Sequence, residues 1–169
     1  MSYRLVYYGN ATLATVAEKV KKIDDKIINI IDNMFEIMYK EKGVGLAATQ
    51  IDLNKRIIVI DTNGEMREKM ALINPEIISY SDNVEACEEG CLSLPGLNAD
   101  VTRPSEIVVK ALSPTGDTVE FEASGLLARI IQHEIDHLDG IFFIDRIEKY
   151  MKNEFKSELK KIKKLNKRQ

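Results

Sequence analysis

The sequence predicts an α+β fold: a mostly antiparallel sheet packed around a central helix that carries an HExxH motif, with one helix near the N-terminus and another at the C-terminus. Three observations predict it. Apolar residues at three-to-four spacing mark 24–42 and 147–164 as helical, and short β-branched runs fill most of the stretch from Gly43 to Ala123. A further helical segment follows those runs and holds both of the chain's 2 histidines.

The first helix, 24–42, places Ile27, Ile30, Ile31, Met34, Ile37 and Met38 on one face, with Asp24 or Asp25 at its start and Gly43 as its stop. Strands are expected at 56–61, 71–74, 77–80, 106–111 and 118–123, the last two joined as a hairpin through a turn at 114–117. Ser124 is placed to cap a helix over 126–139 that ends at Gly140. The last helix, 147–164, puts Ile147, Met151, Phe155, Leu159 and Ile162 on one side and lysines around the rest. With no internal repeat and no low-complexity linker, residues 1–169 read as a single domain, 148–169 being a basic C-terminal helical extension.

A chain of 169 residues, 44% hydrophobic and 30% charged, is composed like a globular domain and unlike a disordered or fibrous one. No apolar run reaches the roughly 18 residues of a membrane span, and the first twenty residues lack the pattern of a secretory signal, so the expected location is cytoplasmic. Cys87 and Cys91 lie too close in sequence to staple a fold, which points to metal binding or a reactive thiol. Residues 149–169 hold nine Lys/Arg against two Asp/Glu, a net +7; the total of −3 then leaves −10 for residues 1–148. A basic tail of this kind suits either a solvated helix or a polyanion, and sequence-specific nucleic-acid recognition has no motif here.

In Gln132-His133-Glu134-Ile135-Asp136-His137, two histidines four apart on a helix bring both imidazoles to one face, within reach of one cation. Glu134 stands one position round, able to reach a water there without being a ligand. A catalytic site needs a third protein ligand and an open position. Cys91, at a strand end ringed by Gly and Pro in Glu88-Glu89-Gly90-Cys91-Leu92-Ser93-Leu94-Pro95-Gly96, is the strongest candidate. The run of small residues Gly43-Val44-Gly45-Leu46-Ala47-Ala48-Thr49-Gln50 lets backbones approach closely, and Gln50 can offer an amide N–H to a developing oxyanion. Leu126, Ile130, His133 and His137 share a helix face, an apolar strip leading to the histidines that serves either as core or as a side-chain pocket.

The segments GVGLAATQ, EGCLSLPG and QHEIDHLDG, in this order and spacing, resemble the three signature motifs of the peptide deformylases, and the likeness extends over residues 3–147. The resemblance implies a hydrolase that removes the formyl group from the N-terminal formylmethionine of nascent polypeptides and releases formate. It implies Cys91, His133 and His137 as ligands of one divalent metal ion, Fe2+ in much of the family, with Zn2+, Ni2+ or Co2+ also acceptable to such donors. Glu134 would be the acid/base, and Gln50 with the Leu92 N–H the oxyanion hole. Val44, Gly45, Glu89 and Gly90 would border the peptide groove, and Leu126 and Ile130 the methionine pocket. The basic tail would meet the ribosome, as in bacterial relatives. Thr49 stands where the family often has proline and Asn98 where some members have arginine, departures that bear on peptide preference.

Two other readings compete. In one, Cys87, Cys91, His133 and His137 close a structural zinc site, which would leave Glu134 and Gln50 without a task. In the other, the HExxH helix serves a metallopeptidase cutting internal bonds, a class that usually completes its site with a histidine or carboxylate rather than a cysteine.

Overall fold

The structure, a computed structural model, describes residues 3–63 and 69–167; the last two positions of the predicted 148–169 extension lie outside them. In chain order the elements are α1 Asp25–Lys40, β1 Gly45–Ala47, β2 Ile57–Ile60, β3 Met70–Tyr80, β4 Val84–Gly90, β5 Asn98–Pro104, β6 Glu106–Leu112, β7 Thr118–Ser124, α2 Gly125–Leu138, α3 Lys149–Glu154 and α4 Lys156–Lys163. Five strands form an antiparallel sheet in the order β1-β2-β3-β6-β7, while β4 and β5 pair with each other as a separate two-stranded ladder. The α+β expectation therefore holds. Among the described residues no helix is long and apolar enough to cross a membrane.

β2, Ile-Ile-Val-Ile, is buried along its whole length because the sheet is covered on both faces. Ile57 and Val59 pack toward α1 through Ile27, Ile30, Ile31, Met34 and Met38. Ile58 and Ile60, pointing the other way by strand alternation, meet Ala128, Ile131, Ile135 and Leu138 of α2. The HExxH helix is thus clamped between the sheet and whatever lies on its outer side. There a third cluster joins Leu94, Leu97 and Val101 beside the β4–β5 ladder to Phe142, Phe143 and Ile144 and to Leu159 and Ile162 of α4.

Asp24 caps α1, its carboxylate accepting the Ile27 N–H at 3.1 Å. The helix ends at Lys40, two residues short of the expected end at Lys42. Lys42 takes the left-handed position at φ 58°, and Gly43 N–H closes the turn onto the Met38 carbonyl at 2.8 Å. Phe35 belongs to the buried face and Ile37 is only half-buried, so that face is turned slightly from the predicted one. The runs at 71–74 and 77–80 are one strand, β3, with irregular pairing where Pro75 supplies no N–H and Asn74 takes φ 52°. The Asn74 side chain ties that irregularity to Val20 by bonds of 2.8 and 2.9 Å.

β1 and β5 were not expected as strands, and β4 only as a strand end leading to Cys91. β1 is only three residues long, and β4, Val-Glu-Ala-Cys-Glu-Glu-Gly, is too acidic to read as a strand along its whole length. Ser124 is the N-cap by position, but its side chain makes no capping bond and the helix begins at Gly125, held at φ 57°. The single C-terminal helix predicted over 147–164 is instead α3 and α4 with a turn at Phe155. Its apolar residues recur mostly every fourth position, a spacing that drifts about 40° per step on a 3.6-residue helix. A bend there brings Met151 and Phe155 as well as Leu159 and Ile162 onto the body. Asn166 beyond it donates to the Tyr7 carbonyl and accepts the Tyr7 N–H, both at 2.9 Å.

Candidate metal centre and its cleft

Cys91 follows the last residue of β4, and α2 presents His133 and His137 toward it one turn apart. Cys91 Sγ lies 3.2 Å from His137 Nε2, which lies 3.2 Å from His133 Nε2. The three donor atoms all fall within 4.8 Å of one another. Tetrahedral coordination at ordinary metal–nitrogen and metal–sulfur lengths separates neighbouring donors by about 3.3–3.6 Å, so a thiolate and two imidazoles so placed suit one divalent ion. Cys87 is exposed on β4 and stands outside the cluster, which removes the fourth ligand of the closed zinc reading.

The imidazoles are aimed by their surroundings. His133 Nδ1 pairs with Glu89 Oε2 at 2.9 Å, leaving Nε2 to the cluster. Arg103 grips Glu89 from β5, Nε to Oε1 at 2.6 Å and Nη2 to Oε2 at 3.0 Å, while its Nη1 reaches Asp136 Oδ2 at 2.8 Å. Burial alone would raise the Glu89 carboxyl, but its bonds with His133 and Arg103 outweigh that and hold it at about 2. Burial pushes His137 well below the ordinary imidazole value, with the neighbouring His133 adding to the effect, which favours the neutral imidazole that metal binding requires. Burial would lower His133 too, yet Cys91, Glu89 and Glu134 raise it well above that value. Negative groups that favour a proton there favour a cation as well.

Glu134 is 4% exposed and its Oε2 has no hydrogen-bond partner among the described residues. Burial is the main reason its carboxyl is raised to about 7, with His133 pulling the other way. β1 crosses directly over it at Gly45, where an added Cβ would lie 2.6 Å from Glu134 Oε1. Past β1, the Gln50 side chain is fixed at both ends. Its Oε1 accepts the Ala47 N–H at 2.8 Å, and its Nε2 donates to Ser93 Oγ at 3.2 Å and lies 3.7 Å from Cys91 Sγ.

These groups open on a cleft of about 540 Å³. Gln50, Cys91, His133 and Glu134 line it with Val44, Gly45, Gly90, Leu92, Leu126 and Ile130; His137 is buried behind. Glu89 also borders the cleft, as expected of it, and its carboxylate is held by His133, Arg103 and Arg129. Ser93, Arg103, Arg129 and Asp136 escaped the sequence reading. Arg103 had a signal: in Asn98–Pro104 it occupies the inward position of an alternating strand after Ala99 and Val101, where a charge requires a partner.

Comparison with known proteins agrees with this geometry. The family model described as polypeptide deformylase matches residues 2–153. A peptide deformylase of Brachyspira hyodysenteriae is 50% identical over 167 residues, covering 96% of this chain and 89% of its own. One from Natranaerobius thermophilus is 52% identical over 138 residues, 82% of this chain and 87% of its own. The crystal structure of a peptide deformylase from Legionella pneumophila superposes with a TM-score of 0.91 at 37% identity, covering 100% of this chain and 99% of that one. Sequence likeness over nearly the whole length and a shared fold, joined to a Cys/His/His cluster beside a buried glutamate, leave one conclusion: the chain is a hydrolase of the polypeptide deformylase family.

Proposed function

We propose that the chain removes the N-terminal formyl group from the formylmethionine of nascent polypeptides, releasing formate, at a divalent ion held by Cys91, His133 and His137. The observation that carries this reading is the meeting, in one cleft, of three donor atoms within 4.8 Å and a buried carboxylate oxygen without a partner. Fe2+ is the ion we assign, with Zn2+, Ni2+ and Co2+ acceptable to the same donors. When bound, it supplies the Lewis acidity that makes water a nucleophile near neutral pH.

The protein's own groups do the rest. Glu134, with a proton affinity near neutrality, takes the proton of the attacking water and later returns it to the leaving amine. Charge growing on the formyl oxygen meets the Gln50 amide and the Leu92 N–H, each worth about 3 kcal/mol if it acts as oxyanion donors commonly do. Gln50 is suited to this because Ala47 and Ser93 hold its amide still before substrate arrives. Glu89 keeps His133 in the tautomer that leaves Nε2 free to ligate. Val44, Gly45 and Gly90 flank the peptide backbone, and Leu126 and Ile130 receive the unbranched methionine side chain.

The whole chain acts as one domain in the cytoplasm, and residues 148–169 bring it to the ribosome through exposed lysines. The test is anaerobic reconstitution with Fe2+, followed by assay of a formyl-Met peptide and of casein. Formate release with casein left intact is expected; casein cleavage without formate would transfer the chain to the metallopeptidases.

A further inference from the structure

Arg129 lies on α2, one turn before His133, and borders the cleft. Its Nη1 donates to Glu89 Oε1 at 2.8 Å and to the Val101 carbonyl at 2.7 Å, and its Nη2 donates to the Glu85 carbonyl at 2.7 Å. Glu85 belongs to β4 and Val101 to β5. One side chain of the histidine-bearing helix therefore holds a carbonyl on each strand of the ladder from which Cys91 emerges. It also bears on the carboxylate whose other oxygen meets His133 Nδ1.

The thiolate and the imidazoles are separated in sequence by the stretch from 91 to 133, so their spacing depends on how the β4–β5 ladder docks against α2. Arg103 already neutralises Glu89 from β5. What Arg129 adds is the tie from α2 to two backbone carbonyls, which needs the planar, several-pronged guanidinium; the single nitrogen of a lysine cannot span those acceptors.

We infer that Arg129 is a positioning residue, a clamp that fixes the Cys91 ladder against α2 and so sets the thiolate-to-imidazole geometry of the metal centre. The inference rests on the metal-centre reading given above.

The experiment is a Co2+ titration of the full chain, as wild type, Arg129→Lys and Arg129→Met, following the thiolate-to-cobalt and ligand-field absorption bands and checking each fold by circular dichroism. The lysine variant keeps an aliphatic stem and a positive charge beside Glu89. Expected are wild-type circular dichroism, displaced bands and Co2+ binding weakened about tenfold or more, the scale on which groups supporting a ligand act, with Arg129→Met at least as affected. A lysine variant with wild-type bands and affinity overturns the clamp, since charge alone would then suffice. A lower thermal midpoint with unchanged bands overturns it as well, leaving a structural role only. Failure of the wild type to bind Co2+ would sink the metal-centre reading itself, a distinct result.

Discussion

Gly45→Ala asks how closely Glu134 must be placed for the reaction. The added methyl would stand 2.6 Å from Glu134 Oε1, 2.8 Å from Ile130 Cγ2 and 3.1 Å from Glu134 Cδ, where ordinary contact begins at 3.4 Å. The difference between 3.4 and 2.6 is a forced displacement of about 0.8 Å, shared between the carboxylate and the strand. Misplacing a catalytic group by about 1 Å can cost 10²-fold, so kcat should fall by tens to about a hundredfold. Overpacking of this kind destabilises by about 1–3 kcal/mol, which lowers the thermal midpoint by a few degrees. The nearest atoms belong to Glu134 and Ile130 and none to Cys91, His133 or His137, so metal content should not change. Formate release at saturating formyl-Met peptide, metal per mole and thermal midpoint are the three measurements. A folded, fully metallated variant with kcat within twofold of wild type would refute the reasoning. So would a folded variant that has lost its metal.

Four further outcomes are expected. Glu134→Ala retains metal and loses about a hundredfold or more in kcat, the usual scale for a general acid/base; a near-wild-type rate under metal saturation removes it from the mechanism. Cys91→Ala loses metal and activity while Cys87→Ala, altering an exposed side chain outside the cluster, keeps both by metal analysis and formate assay; equivalent losses would restore the closed zinc reading. Glu89, lowered from 4.5 to about 2 in the folded chain, contributes stability that is full above 4.5 and is lost as the pH falls through that interval toward 2. The acid-unfolding curve of Glu89→Gln should therefore be flatter between those limits, and equal slopes would contradict the assignment. Neutralising the exposed Lys156, Lys160, Lys161 and Lys164 to Gln should weaken salt-dependent co-sedimentation with ribosomes and leave peptide turnover unchanged. Unchanged sedimentation would end the docking idea. Deleting the tail is the poorer test, because Leu159 and Ile162 are buried in the third core cluster.

The sequence by itself determined whatever depends on near neighbours along the chain. Two histidines four apart on a helix share a face in any fold, so His133 and His137 were legible, with Glu134 one position round. The alternation of 106–111 and 118–123 about a turn yielded β6 and β7, and the apolar spacing of 24–42 yielded α1 within two residues at its end. Cys91 and Gln50 needed more, and came from their motifs rather than from periodicity. Only the tertiary structure decided the contacts between distant segments. Arg103 meets Glu89 across 14 residues and Asp136 across 33, and Glu89 meets His133 across 44. No local pattern encodes such pairings, because each depends on how β4 and β5 lie against α2. For the same reason the contact of the Glu89 carboxylate with His133 was not legible in the sequence. The straight C-terminal helix gave way to two short ones because a helix bends to follow the core it covers, and where that core lies is settled by the rest of the chain.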